Sequence, residues 1–356
     1  MPYQTSFLIF IMNLSNEFQI SIYAASIVSF SISFLLCYLI FKLFGRFQAR
    51  EFKQKRLSNL KITPLGGTAM AISFFISVRL LGQADSQIIS ISIFALAISI
   101  LGIVDDFFVL NWKFKFLFQF LFVSIPVYML EEVINIEKIF NINFSNNLNF
   151  IFTVLWVLTL MNSINFIDNM DGFASINLIF ICFALSLLSF VLNQNYLADI
   201  SFILLFVISG FFIFNFPPAK IYMGDSGSLF IGFILGFISI LFNWNPDDEI
   251  YIFSSFAPVF LFFTIPLLDF LTVFVYRLKN KISPTTGGTD HISHRLINKG
   301  YSAKKILLIF TIINLVIFPL LGISIYFKAV SVTSFSIYLI FVFYLYIKFQ
   351  KMEPLK

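Results

Sequence analysis

Apolar residues run through this chain in blocks broken by short polar connections, with no alternating β-barrel pattern. The blocks are close to the ~20 residues a helix needs to cross ~30 Å of hydrocarbon. They predict spans at about 20–44, 64–82, 88–110, 114–130, 148–164, 174–193, 200–215, 226–243, 251–276, 305–326 and 331–348. The expected fold is an all-α polytopic transmembrane bundle of about 11 spans, forming one integral membrane catalytic domain over residues 1–356. A shorter run, Phe7 to Met12, reads as an interfacial lead-in, since no basic stretch precedes it as in a signal peptide.

Composition agrees with the pattern. With 59% hydrophobic and 12% charged residues and a mean hydropathy of +0.93, the chain lacks the polar side chains to cover a water-soluble globule. The 52 Phe lie inside the apolar runs, so packing and lipid contact account for them better than base stacking, and no nucleic-acid partner is expected. Cys37 and Cys182 also lie in apolar segments, where they offer neither a CxxC site nor a disulfide framework.

Charge adds orientation. The first connection carries Arg46, Arg50, Lys53, Lys55, Arg56 and Lys61, which marks it as cytoplasmic. Counting crossings from there, only Arg79, Lys138 and Lys328 of the 23 Lys and Arg fall outside, while Asp85, Glu131, Glu132, Glu137, Asp199, Asp247, Asp248 and Glu249 fall on the outer side. The N-terminus is then outside and the C-terminus cytoplasmic, in an inner or plasma membrane.

The same count places four polar clusters on the cytoplasmic face: Asp105-Asp106, Asn162 to Gly172, Met223 to Ser228, and Asp290 to Arg295. In the second, Asn162, Asn165, Asp168 and Asp171 are spaced by three, so a turn of helix would bring neighbouring members near one face. Oxygen donors of this kind suit a hard cation such as Mg²⁺, with Mn²⁺ as a substitute. Each cluster has a plainer account. Asp105-Asp106 could be a helix end in the headgroup region, where a carboxylate costs little. Met223-Gly224-Asp225-Ser226-Gly227-Ser228 could be a turn and helix start, although free N–H groups there also attract phosphate. His291 and His294, the chain's 2 histidines, lack the further ligands of a zinc site, and Arg295 beside them could clamp a phosphate. Together, carboxylates that accept a phosphate substrate require a cation between them, and a bilayer-face site suggests a lipid as the second reactant.

At these clusters the chain resembles the polyprenyl-phosphate N-acetylhexosamine-1-phosphate transferases, which start lipid-linked envelope glycans such as O-antigen and include the peptidoglycan phospho-MurNAc-pentapeptide translocase. The resemblance rests on Thr63-Pro64-Leu65-Gly66-Gly67, Asp105-Asp106, Asn162-x-x-Asn165-x-x-Asp168-x-x-Asp171-Gly172, Met223 to Ser228 and Asp290-His291-x-x-His294-Arg295-Leu296, in family order. It implies Mg²⁺-dependent transfer of a sugar 1-phosphate from a UDP-N-acetylhexosamine to undecaprenyl phosphate, with release of UMP. It further implies metal ligation by Asn165 and Asp225, and catalytic roles for Asp105 and Asp106 near the lipid phosphate. Asp168 and Asp171 would face the nucleotide, and Arg56, Asn162, His291, His294 and Arg295 would bind substrate. Asn59, Ile62 and Leu65 depart from the family's first-loop pattern, and Asn169 replaces a usual glycine. The two-histidine ending is closer to the glycan-initiating branch, so GlcNAc 1-phosphate is the expected cargo and the peptide-bearing donor the alternative. A homodimer is left open. The rival from another class is a secondary transporter, which would place its acids near the bilayer midplane on broken helices.

Overall fold

The structure is a computed structural model that describes residues 22–44, 62–81, 86–130, 134, 145–242, 262–283, 287–326 and 331–355. Twelve helices and no strands occur among the described residues. They are α1 (Ile22–Phe44), α2 (Gly66–Leu80), α3 (Ser86–Phe108), α4 (Trp112–Leu130), α5 (Asn146–Ile167), α6 (Phe173–Val191), α7 (Asn195–Asn215), α8 (Gly224–Leu241), α9 (Thr264–Lys279), α10 (Ile292–Asn298), α11 (Ala303–Tyr326) and α12 (Ser331–Gln350). Nine are long and apolar enough to cross a membrane. The other two expected spans are represented by α2, of 15 residues, and α9, of 16. At 1.5 Å per residue α2 covers about 22 Å, less than a full hydrocarbon core. Arg56, the opening apolar run, residues 251–261 of the expected ninth span, and Asp85, Glu131, Glu132, Glu137, Lys138, Lys328 and the Asp247–Glu249 group lie outside the described residues.

The bundle is built around α8. Its sequence is apolar on every side, and from Gly224 to Ser239 it is buried except at Asp225. A helix without a polar face belongs in the interior of a bundle. It packs against α2, α3 and α5, and α1, α6 and α7 form a second layer, with α6 packed against α11. By contrast α4 keeps Phe114, Phe116, Leu117, Phe118, Phe120 and Leu121 exposed, as a helix facing lipid would. Within the membrane, hydrophobic burial does not favour one helix neighbour over lipid, so close backbone approach and polar links decide the packing. Trp156 Nε1 donates to Ser239 Oγ at 3.0 Å to join α5 to α8, and Asn314 Nδ2 donates to Asn177 Oδ1 at 2.9 Å to join α11 to α6.

The closest approach is between α2 and α8. A Cβ on Gly67 would lie 2.0 Å from the backbone nitrogen of Gly227, so only glycine lets the two helices meet there. The contact pins the α8 N-terminus beside residues 63–67: Gly66 N donates to Tyr222 O at 3.0 Å, Gly67 N to Met223 O at 2.9 Å, and Tyr222 N to Thr63 O at 2.9 Å. Gly67→Ala is expected to push α2 and α8 apart and lower stability by at least the ~1–3 kcal/mol of ordinary overpacking. Its thermal unfolding midpoint in detergent, measured beside wild type, checks this.

Candidate active site

All five sequence motifs meet at one end of the bundle, where α3, α5, α7 and α9 end and α4, α6, α8 and α11 begin. They form two groups of side chains that share the end of α5.

The first group surrounds the start of α8. A helix start leaves unsatisfied N–H groups, and none of the side chains at this start caps them locally. Asp106 of α3 does so instead, its Oδ1 accepting from Asp225 N at 2.9 Å and its Oδ2 from Ser226 N at 3.2 Å. The carboxylate also meets the positive end of the helix dipole. Gly224 turns the chain into α8 with φ 72°, and a Cβ there would lie 2.4 Å from Asp106 Oδ2. This geometry directs Asp225 away from its own helix end. Its Oδ1 accepts from Asn165 Nδ2 at 2.9 Å, and its Oδ2 forms a short ion pair with Lys115 Nζ of α4. Lys115 also pairs with Asp105 Oδ2 at 2.8 Å, and Asp105 Oδ1 accepts from Leu110 N at 2.7 Å. Asn165 Nδ2 donates further to Ser228 Oγ at 2.8 Å, and Asn162 Nδ2 bonds Gln119 Oε1 at 3.1 Å.

Asp105 and Asp225 thus share one ammonium while Asp106 lies at the adjoining helix start, which leaves excess negative charge in a poorly solvated place. That donor set suits a hard divalent cation. Magnesium is usually held by one or two carboxylates plus waters and substrate phosphates, so a full protein cage is not required. No cluster of three or more His, Cys, Asp or Glu poised around a metal occurs among the described residues.

The second group is the histidine loop. Asp269 of α9, fully buried, approaches His291 Nδ1 at 2.7 Å through Oδ2 and accepts from Ile292 N at 2.7 Å through Oδ1. Arg277 forks onto Asp290 with contacts of 2.7 and 2.8 Å. The ring of His291 stands edge-on to Phe166 at 5.4 Å and to the buried His294 at 5.6 Å. Ser293 Oγ donates a short hydrogen bond to Asn169 Oδ1, so the residue that departs from the family pattern helps dock the loop on the end of α5. Asn165 therefore serves the carboxylate group, while Phe166 and Asn169 serve the histidines.

Two expectations change. The series spaced by three does not continue along one helix face, because α5 ends at Ile167: Asp168 is its C-cap residue, and Asp171 lies in the following turn, which closes at Gly172 with φ 72°. Asp171 Oδ2 accepts from Ala219 N at 2.9 Å. Arg295, expected to grip a phosphate, is fully buried. Its guanidinium donates to the carbonyls of Asp290 at 2.8 Å, Met352 at 2.6 Å and Phe349 at 3.3 Å, and lies 4.9 Å from the Tyr276 ring centroid. It ties the loop to the end of α12, aided by Thr289 Oγ1 donating to Leu355 O at 2.7 Å. Sequence reasoning missed Lys115 and Asp269. Each is a charge close to an apolar run, Asp269 inside one and Lys115 near the start of another, and that anomaly is the signal that could have found them.

Comparison with known proteins supports a membrane-embedded phosphotransferase. Residues 88–243 match the family model described as glycosyl transferase family 4. The chain is 27% identical over 334 residues to the "Probable undecaprenyl-phosphate N-acetylglucosaminyl 1-phosphate transferase" of Bacillus subtilis, covering 92% of this chain and 91% of that protein. It is 27% identical to the "Phospho-N-acetylmuramoyl-pentapeptide-transferase" of Staphylococcus carnosus, covering 83% and 96% respectively. With the "Decaprenyl-phosphate N-acetylglucosaminephosphotransferase" of Mycolicibacterium smegmatis it shares 28% identity, covering 77% and 75%. Residues 88–243 of the chain are thus similar to glycosyl transferase family 4, and relatives named as sugar-phosphate transferases align over most of its length.

Lys115→Met leaves Asp105 and Asp225 facing each other without their shared cation, and breaking a buried pair in this way costs about 3–5 kcal/mol. Thermal unfolding of the variant checks the loss, and Lys115→Arg is expected to retain most of the stability. A separate expectation concerns acid. Burial opposes the charged form of Asp290, but the Arg277 hydrogen bonds and charge outweigh it and hold the carboxyl below the usual range. The stability this lowered value contributes is present above the ordinary carboxylate pKa and is lost as pH falls through the lowered one. Amide protection over 287–300, corrected for the intrinsic pH dependence of exchange, is therefore expected to fall on acidification from pH ~5 to pH ~2, and Asp290→Asn to show the lower protection already at pH ~7.

Proposed function

We propose that this protein transfers N-acetylhexosamine 1-phosphate, with GlcNAc 1-phosphate as the cargo, from a UDP-sugar to undecaprenyl phosphate. An oxygen of the lipid phosphate forms a bond to the β-phosphorus, the bridging P–O bond breaks, and UMP leaves with the electron pair. The reaction takes place at the cytoplasmic face of the cell membrane, with the N-terminus outside, the C-terminus inside and residues 1–356 acting as one catalytic domain. It begins a lipid-linked envelope glycan.

The observation that carries this is the convergence on Asp225 of Asn165 and Lys115, with Asp105 sharing that lysine and Asp106 capping the same helix. Such a site brings fixed charge and exposed donors to a phosphate at a bilayer face, and phosphoryl transfer depends mainly on positioning and charge stabilisation. Asp225 and Asn165 would hold Mg²⁺, Asn165 with its amide turned to present oxygen. Bound there, the ion supplies charge stabilisation for the diphosphate. Lys115 orients Asp105 where the lipid phosphate would enter. Asp106 holds the start of α8 in place, and Asp168 and Asp171 border the nucleotide. His291 borders the sugar-phosphate with the buried His294 packed against it, and Asn162 and Arg56 complete the substrate contacts. Arg295 holds this loop in place through backbone carbonyls.

Purified protein with undecaprenyl phosphate and UDP-N-acetylhexosamines is expected to release UMP, to require both lipid and Mg²⁺, and to lose activity in EDTA. Asp225→Asn and Asp105→Asn are expected to lower the rate by at least ~10²-fold, the order found for removing one stabilising group from an active site. UMP release from the peptide-bearing donor alone would assign the cargo to the other branch represented among the relatives.

A further inference from the structure

Asp269 has no part in the roles above, yet it is a fully buried carboxylate on α9 with both oxygens engaged by the histidine loop. We propose that Asp269 is a positioning residue that fixes the proton of His291 on Nδ1 and so presents Nε2 as the working atom toward the sugar-phosphate. The assignment of that working atom rests on the transfer reaction proposed above.

The geometry allows little else. Asp269 Oδ1 accepts from Ile292 N, and with Oδ2 accepting in the same way the ring nitrogen 2.7 Å from it is the donor. A histidine's two nitrogens are set in opposition when the ring is neutral, and the partner of one decides the state of the other. Nε2 makes no hydrogen bond among the described residues, and His291 keeps a small exposed part at the bundle end where the other motifs gather. The other charged groups of this wall are committed elsewhere, Arg277 to Asp290 and Arg295 to backbone carbonyls. Phe166 and His294 fix the plane of the ring from its sides. A purely structural account would have Asp269 serve only the N–H of Ile292, at the start of α10. The substitution Asp269→Asn separates the two accounts. Asparagine keeps an oxygen for Ile292 N but turns an NH₂ toward Nδ1, which must then accept, moving the ring proton to Nε2. The atom facing the site changes from acceptor to donor with almost no change in shape.

The test uses the full chain in detergent with ¹⁵N-labelled histidine. Only two histidines are present, so His294→Gln assigns the spectrum. A hydrogen-bonded proton on His291 Nδ1 is expected in wild type and is expected to vanish in Asp269→Asn. Its absence from wild type, or its persistence in the folded variant, would overturn the proposal. Should Asp269→Asn fail to fold, the wild-type spectrum still decides. The second readout is the rate of UMP release. Asp269→Asn is expected to lower it about 10–100-fold, the cost of losing a carboxylate that orients a metal-bound histidine. In a His291→Gln background the further loss should be under about threefold, because the two residues act as one unit. Equal losses in both backgrounds would leave Asp269 a structural residue and sink the idea. A wild type that releases no UMP from any donor would refute the transfer reaction, while the spectrum would still report whether Asp269 sets the His291 proton.

Discussion

The start of α8 is the constraint on which the rest of this structure depends. In a bilayer, a helix that begins inside protein cannot rely on water for its first N–H groups, and each group left bare costs several kcal/mol. Here the partners come from distant segments. Asp106 takes the N–H groups of Asp225 and Ser226, and the strand-like pairing of Thr63–Gly67 with Tyr222 and Met223 holds the approach. Because Gly67 and Gly227 allow near-contact of backbones, these partners reach α8 without a gap for lipid or water. The requirement to satisfy one helix end therefore gathers α2, α3 and α8 at the place where the chemistry sits.

Charge then organises what the backbone has assembled. With its helix end capped by another residue, Asp225 is not needed as a cap and projects toward α4 and α5, where Lys115 and Asn165 meet it. Attraction between ions in so poorly hydrated a site is several times stronger than in water, but so is the penalty for excess charge of one sign. A cluster with more carboxylates than cations carries excess negative charge that its own side chains do not balance. In the histidine loop Asp290 is matched in charge by Arg277, while Asp269 is held by hydrogen bonds with the His291 ring and Ile292 N. The two groups join through α5, whose last turn sends Asn165 one way and Phe166 the other, about 100° around the helix.

Much of this was legible before any coordinates. Apolar block length located the helices, because crossing hydrocarbon demands a minimum length, and the spacing of acidic clusters from span ends placed them together. The details that escaped depend on distance in sequence. Lys115 lies 110 residues from Asp225, and nothing local says that it belongs with that carboxylate rather than with headgroups. Arg295 looked like an anion clamp because its neighbours are histidines, yet the carbonyls that hold it belong to residues 349 and 352. The regular spacing of Asn162, Asn165, Asp168 and Asp171 suggested one face, but spacing carries meaning only while the helix lasts, and α5 stops at Ile167.

The pair Asp105-Asp106 shows where sequence logic and structure meet. Adjacent residues on a helix point about 100° apart, so two neighbouring carboxylates are unlike in surroundings however alike in chemistry. Asp106 turns toward the start of α8 and spends both oxygens on backbone N–H groups. Asp105 turns toward α4 and shares Lys115 with Asp225. Replacing Asp106 strikes at the placement of α8, whereas replacing Asp105 strikes at the charge balance around Lys115. A loss of activity would therefore have a different physical origin in each case. The motif thus sets a residue that holds a helix end beside one that holds a charge pair, and their adjacency links the position of the helix to the position of the charge.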